Sequence, residues 1–204
     1  MIKKHTYNQG MTFVEMIIVT SLFSILMLAV GNSVASLYRS NAYTFAQAYE
    51  VSHARRGVQA FTRDIREMTF ADDGTFPLAR MEDRIIGFYS DIDRDNSVEY
   101  VEYELATSTV FVKRVYNAVG SPPVYNTAVA DETYTLSEYV QNIIQGTSTF
   151  MYYDTYGALA TATSSVTDIR YITVQMIVNI DPVRSPGQFM LRSSAALRNV
   201  IDNI

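Results

Sequence analysis

GMTFVEMIIVTSLFSILMLAV, residues 10–30, is the stretch on which the reading of this chain turns. It is apolar over about 20 residues, long enough to cross a bilayer as one helix. Glu15, a little way inside the run, sets it apart from a plain anchor. A charged side chain in an apolar helix costs roughly 2.5–3.5 kcal/mol on insertion scales, so its presence points to function. The basic leader MIKKHTYNQG, with Lys3 and Lys4, precedes the run, and the first positive residue after it is Arg39. That asymmetry favours a cytoplasmic N-terminus, with the C-terminal bulk carried across.

Three readings compete. The run is a simple signal anchor, a secretory signal cut near the small residues Ala29-Val30-Gly31, or a segment retained after cleavage between Gly10 and Met11. Glu15 favours the third, because that cut frees the Met11 amine as a cationic partner. On a helix, Met11 and Glu15 stand at i,i+4 and share a face. Thr20, Ser21 and Ser24 are expected to bond back to carbonyls of the preceding turn. Gly31-Asn32-Ser33 are weak helix formers, a point where the helix is open to loosening.

The order of residues from Gly10 to Glu15 (glycine, a hydrophobic residue, threonine, two apolar residues, glutamate), followed by an unbroken apolar run, resembles the N-terminal processing motif of type IV pilins and type II secretion pseudopilins. The resemblance implies a prepilin peptidase that cuts after Gly10 and N-methylation of Met11. It also implies that Glu15 meets the N-terminal amine of a neighbouring subunit as helices pack into a filament. Many major pilins carry a helix-bending proline in the second half of this segment; here Gly31-Asn32-Ser33 occupies that region.

Beyond the run, residues 34–69 keep helical character without proline. Residues 33–50 are small and polar, an exposed stalk. Val51, Ala54, Val58, Phe61, Ile65 and Met68 recur every three or four residues, an apolar stripe fit to pack on the domain's own sheet. Arg63 and Glu67 lie at i,i+4 between them. His53, with no cysteine and no second histidine outside the leader to join it, reads as a surface or helix-edge residue and not as a ligand or base. Ala71-Asp72-Asp73-Gly74 and Pro77 close the helix.

After Arg80 the apolar period changes to two. Residues 84–90, 98–105 and 109–116 read as a meander of antiparallel strands, with Val101, Tyr103 and Leu105 on one face and Tyr100, Glu102 and Glu104 on the other. Residues 118–126 form a proline-marked loop; 127–148 fit either a short helix or a strand. Further strands are expected at 149–154, 168–180 and 188–200, with Ile172, Val174, Met176, Val178 and Ile180 on one face of the second. The fold class is therefore α+β and pilin-like, a long N-terminal helix on an antiparallel β-sheet head. Its divisions are a leader (1–10), a transmembrane or filament-core helix (11–31), a helical continuation (32–70) and the head (71–204). Three local likenesses extend the resemblance to minor pilins and pseudopilins of the J/W type. They are RRGVQAFTRDIREM, the aspartate-rich hairpin before VEYVEYEL, and LRSSAALRNV.

That hairpin carries Asp91, Asp93, Asp95, Ser97, Glu99 and Glu102. Counted from Asp91 they fall at positions 1, 3, 5, 7, 9 and 12, the spacing of an EF-hand calcium loop with Asn96 in the glycine position. Two readings stand. One is a calcium turn built on Asp91, Asp93, Asp95, Ser97 and Glu102; the other is a solvated acidic tip, where Asp and Asn favour turns for their own reasons. If Val98 already begins a strand, Glu102 points away from the aspartates.

Composition bounds the rest. The 204 residues suit one domain plus an anchor, and 48% hydrophobic residues can build a core. A net charge of −5 argues against a nucleic-acid binder. The sequence contains no cysteine, nucleophile elbow, HExxH motif or phosphate loop, so no catalysis and no required cofactor are expected. The implied partners are other pilin subunits, the prepilin peptidase/N-methyltransferase, an inner-membrane assembly platform and the membrane itself. The implied location is the inner membrane, with the head outside the cytoplasm. The competing class is a single-pass anchored binding or sensor module that never polymerises.

Overall fold

The computed structural model describes residues 10–160, 165–183 and 187–197, which form two compact units, Met1–Phe45 and Ala46–Ile204. The first is helical. Helix α1 (Phe13–Arg66) starts there and runs without interruption through Gly31-Asn32-Ser33. A single glycine costs about 1 kcal/mol relative to alanine, too little to break a helix of 54 residues. The Thr20 and Ser21 hydroxyls donate to the Met16 and Ile17 carbonyls at 2.9 and 2.7 Å, and Ser24 donates to Thr20 at 2.8 Å. The polar side chains of the apolar run are thus satisfied within their own helix. The side chains of Phe13, Val14, Ile17, Ile18, Leu22, Leu26 and Leu28 are all exposed. The segment is long and apolar enough to cross a membrane.

The second unit contains the end of α1 and all the strands: β1 (Leu78–Met81), β2 (Ile85–Ser90), β3 (Glu99–Leu105), β4 (Phe111–Tyr116), β5 (Ala118–Val119), β6 (Val124–Tyr125), β7 (Glu132–Ser137), β8 (Phe150–Asp154), β9 (Ile169–Val178) and β10 (Phe189–Ala196). All the pairings are antiparallel. They build a five-stranded sheet in the order β1-β2-β3-β4-β7, a three-stranded sheet β10-β9-β8, and the small β5-β6 hairpin. The meander falls where the alternation places it. Residues 127–148 resolve as β7 and an irregular segment instead of a helix. Residues 198–200 of the expected last strand lie outside the described residues.

One core joins the helix to both larger sheets. Ala54, Val58, Phe61, Ile65 and Met68 are buried against Phe88, Val101, Tyr103, Phe111, Phe150, Ile172, Val174 and Met176. Phe61 meets Tyr103 edge-on at 5.2 Å and lies 5.4 Å from Phe150, so one ring contacts both sheets. At Gly57 the helix passes β7 so closely that an added Cβ would stand 3.1 Å from the Leu136 Cβ. The other face of the meander carries a second cluster, Tyr89, Val98, Tyr100 and Tyr116 with Ala71.

Two expectations for the helix need correction. The packed part begins earlier than Val51. Gln47 is buried, its amide donating to Val178 O at 3.3 Å and accepting from Ile180 N at 3.0 Å, so the end of β9 holds residue 47 of the expected stalk. Arg63 does not pair with Glu67. Its guanidinium binds Asp64 at 3.0 Å, and Glu67 takes Arg94 at 2.6 Å. Asp64 has no exposed side-chain surface and accepts from Tyr103 at 2.7 Å and Lys113 at 2.6 Å, which ties the helix end to β3 and β4.

Candidate functional site

Gly10, Met11 and Thr12 precede α1. The Thr12 carbonyl accepts from Met16 N at 3.1 Å, which makes Thr12 the N-cap. Its side chain and that of Glu15 close a reciprocal box. The Thr12 amide and hydroxyl donate to Glu15 Oε2 at 2.8 and 2.9 Å, and the Glu15 amide donates to Thr12 Oγ1 at 3.3 Å. This is the capping box expected of a Thr-x-x-Glu sequence ahead of an apolar run. The pattern is present in Thr12-Phe13-Val14-Glu15, and attention to the glutamate's charge alone passes over it.

The box corrects the expected relation of Met11 to Glu15. Met11 lies outside the helix, so it is not on the Glu15 face at i,i+4; the partner of Glu15 in this chain is Thr12. Met11 is exposed, and a Cβ added to Gly10 would meet nothing within 4 Å. The packing of the chain therefore places no demand for glycine at position 10.

The acidic turn has a different geometry. Asp91 Oδ1 accepts from Arg94 N at 2.6 Å, Asp93 Oδ1 from Asp95 N at 3.2 Å, and Asp95 Oδ1 from Ser97 N at 2.7 Å. Arg94 and Asn96 sit at φ 65° and 70°, the left-handed region that Asn tolerates well. β3 begins at Glu99, and Glu102 is indeed turned away: its carboxylate binds Arg80 at 3.1 Å and Arg114 at 3.0 Å, while Arg114 also binds Glu104. Glu102 is thus withdrawn from the expected ligand set, because strand alternation puts it among the arginines of β1 and β4. Glu99 takes its place. Asp91, Asp93 and Glu99 bring one carboxylate oxygen each within 4.8 Å of one another. Glu99 is buried, accepts from Ile92 N at 3.0 Å, and has its pKa pushed up to about 6 by burial, with the neighbouring aspartates adding to the rise.

His53 packs against Tyr49 with ring centroids 4.2 Å apart and the rings tilted by 56°, at the helix edge facing the end of β7. Its Nε2 is buried without a hydrogen-bond partner.

Among known families, the one described as the prokaryotic N-terminal methylation motif matches residues 5–31. That span holds the Gly10–Met11 bond, the Thr12–Glu15 box and the apolar run. No curated protein and no solved structure matches the chain. The motif and the exposed apolar helix that carries it support a type IV pilin-like precursor anchored by its N-terminal segment.

Proposed function

We propose that this chain is a minor pilin or pseudopilin subunit, cleaved after Gly10 by a prepilin peptidase, N-methylated at Met11, and assembled through α1 into a type IV pilus or a type II secretion-like pseudopilus. The observation that carries the reading is the match to the methylation motif over residues 5–31, seated on an exposed apolar helix. Position 10 adds support: a glycine that its own chain does not require is suited to an external enzyme with a narrow subsite. The lysine leader implies insertion from the cytoplasmic side of the inner membrane, with the head outside. The partners are then the peptidase/N-methyltransferase, the assembly platform and other pilin subunits. The head serves in recognition and packing, with no catalytic role. The local likenesses of RRGVQAFTRDIREM, the acidic hairpin and LRSSAALRNV favour a J/W-type minor subunit, in a priming or tip complex.

Replacement of Glu15 tests the assembly step. Glu15→Ala should still insert and still be cleaved, since the Thr12 hydroxyl can cap the amide of residue 15. It should be lost from sheared or sedimented filaments, because the carboxylate that meets a neighbour's Met11 amine is gone. Undiminished incorporation would refute the role given to Glu15.

A further inference from the structure

We propose that Thr12 is a positioning residue for the cleavage, holding the Gly10–Met11 bond outside the helix so that an endopeptidase can reach it; this rests on the reading of that bond as the processing site. Hydrolysis adds water across it. The water oxygen bonds the Gly10 carbonyl carbon, the C–N bond to Met11 breaks, and the departing nitrogen takes up a proton, leaving a Gly10 carboxylate and a Met11 amine. The Gly10 carbonyl must be free to be attacked, and in a continuous helix it would instead accept from the amide of Val14.

Sequence propensity alone does not keep it free. At an apolar boundary an unpaired backbone group is costly, so a helix tends to extend until something caps it. Upstream of Thr12 the next residues of the N-cap type are Gly10 and Asn8. A helix capped at Gly10 would engage its carbonyl with the amide of Val14, and one started at Asn8 would wind Gly10 and Met11 into its first turn. The Thr12–Glu15 box prevents this, since its three hydrogen bonds satisfy the helix start at residue 12. The same box supplies Glu15 with two neutral donors while Met11 is still locked in a peptide bond and has no amine to offer.

The test follows cleavage of the full-length chain, in detergent or membranes, by a prepilin peptidase. Wild type, Thr12→Val and Thr12→Ser are compared. In Thr12→Val the competent, unwound start is only a fraction of the population, so KM rises while kcat is unchanged. The drop in kcat/KM should be at most roughly fivefold, the factor by which loss of a typical cap shifts the helix-start equilibrium. Thr12→Ser keeps the hydroxyl and should match wild type. NMR Cα shifts should show Met11 helical in Thr12→Val and non-helical in wild type. Equal KM and kcat for Thr12→Val and wild type, or Thr12→Ser as slow as Thr12→Val, overturns the inference while the processing reading stands. A wild-type chain left uncleaved overturns that reading and the inference with it.

Discussion

Glu99 illustrates how much one side chain can hold. Its folded pKa of about 6 lies above the ordinary 4.5, so between those values the native state binds more protons than the unfolded chain. The stability it contributes is fully present below pH 4.5 and is lost as pH rises through 6. Glu99→Gln keeps an acceptor for the Ile92 amide and removes the charge. It should melt above wild type at pH 7, with the difference closing below pH 4.5; an equal difference at both pH values would contradict this assignment. Gly87 makes a second local demand, because a Cβ there would come within 2.7 Å of Cζ of the buried Tyr100 ring. That ring is held between Tyr89 and Tyr116. Gly87→Ala should therefore cost about 1–3 kcal/mol in a denaturant melt.

Between elements, Asp64 is the tie that sequence periodicity hides. It lies among the charged residues Arg63, Arg66 and Glu67, yet Asp64 follows Gly57 by seven residues and Phe61 by three, on the buried side of α1. Buried charges survive only when paired, and Lys113 on β4 supplies the pair from a strand whose alternation gives no hint of it. Removing one partner should be severe: Asp64→Ala is expected to destabilise by about 3–5 kcal/mol, whereas Asp64→Leu with Lys113→Met should recover most of the loss. A double-mutant cycle by urea denaturation measures the difference. β1 was also hidden, and β7 lay in a segment that fits helix or strand equally. They are the edge strands of the five-stranded sheet, short and partly or mostly exposed, so Leu78–Met81 and Glu132–Ser137 lack the buried apolar run that marks β2, β3, β4 and β9. The candidate calcium set shows the opposite outcome. The spacing from Asp91 to Glu102 was visible, but which carboxylate turns inward depends on where β3 begins, and that is settled by pairing with β2 and β4.

Across the whole molecule, the parts legible in the sequence are those where one physical signal dominates. The uninterrupted apolar run fixes where the exposed stretch of α1 falls, the stripe from Ala54 to Met68 gives the packed face, and strict alternation gives the meander. The division of the strands into two larger sheets was not legible, because it rests on contacts distant in sequence, such as the Tyr152 hydroxyl donating to Glu82 O at 2.8 Å and the Asn142 amide donating to Gln175 O at 2.9 Å. At the N-terminus the sequence supplied the candidate cut site and the charge, while the structure added the Thr12–Glu15 capping box beside them. The account as a whole rests on retention of α1 after a cut at Gly10. Mass spectrometry of the mature N-terminus, from cells with a prepilin peptidase, tests that most directly. The account predicts a chain beginning at N-methylated Met11; an intact Met1 or a chain beginning at Asn32 would contradict it.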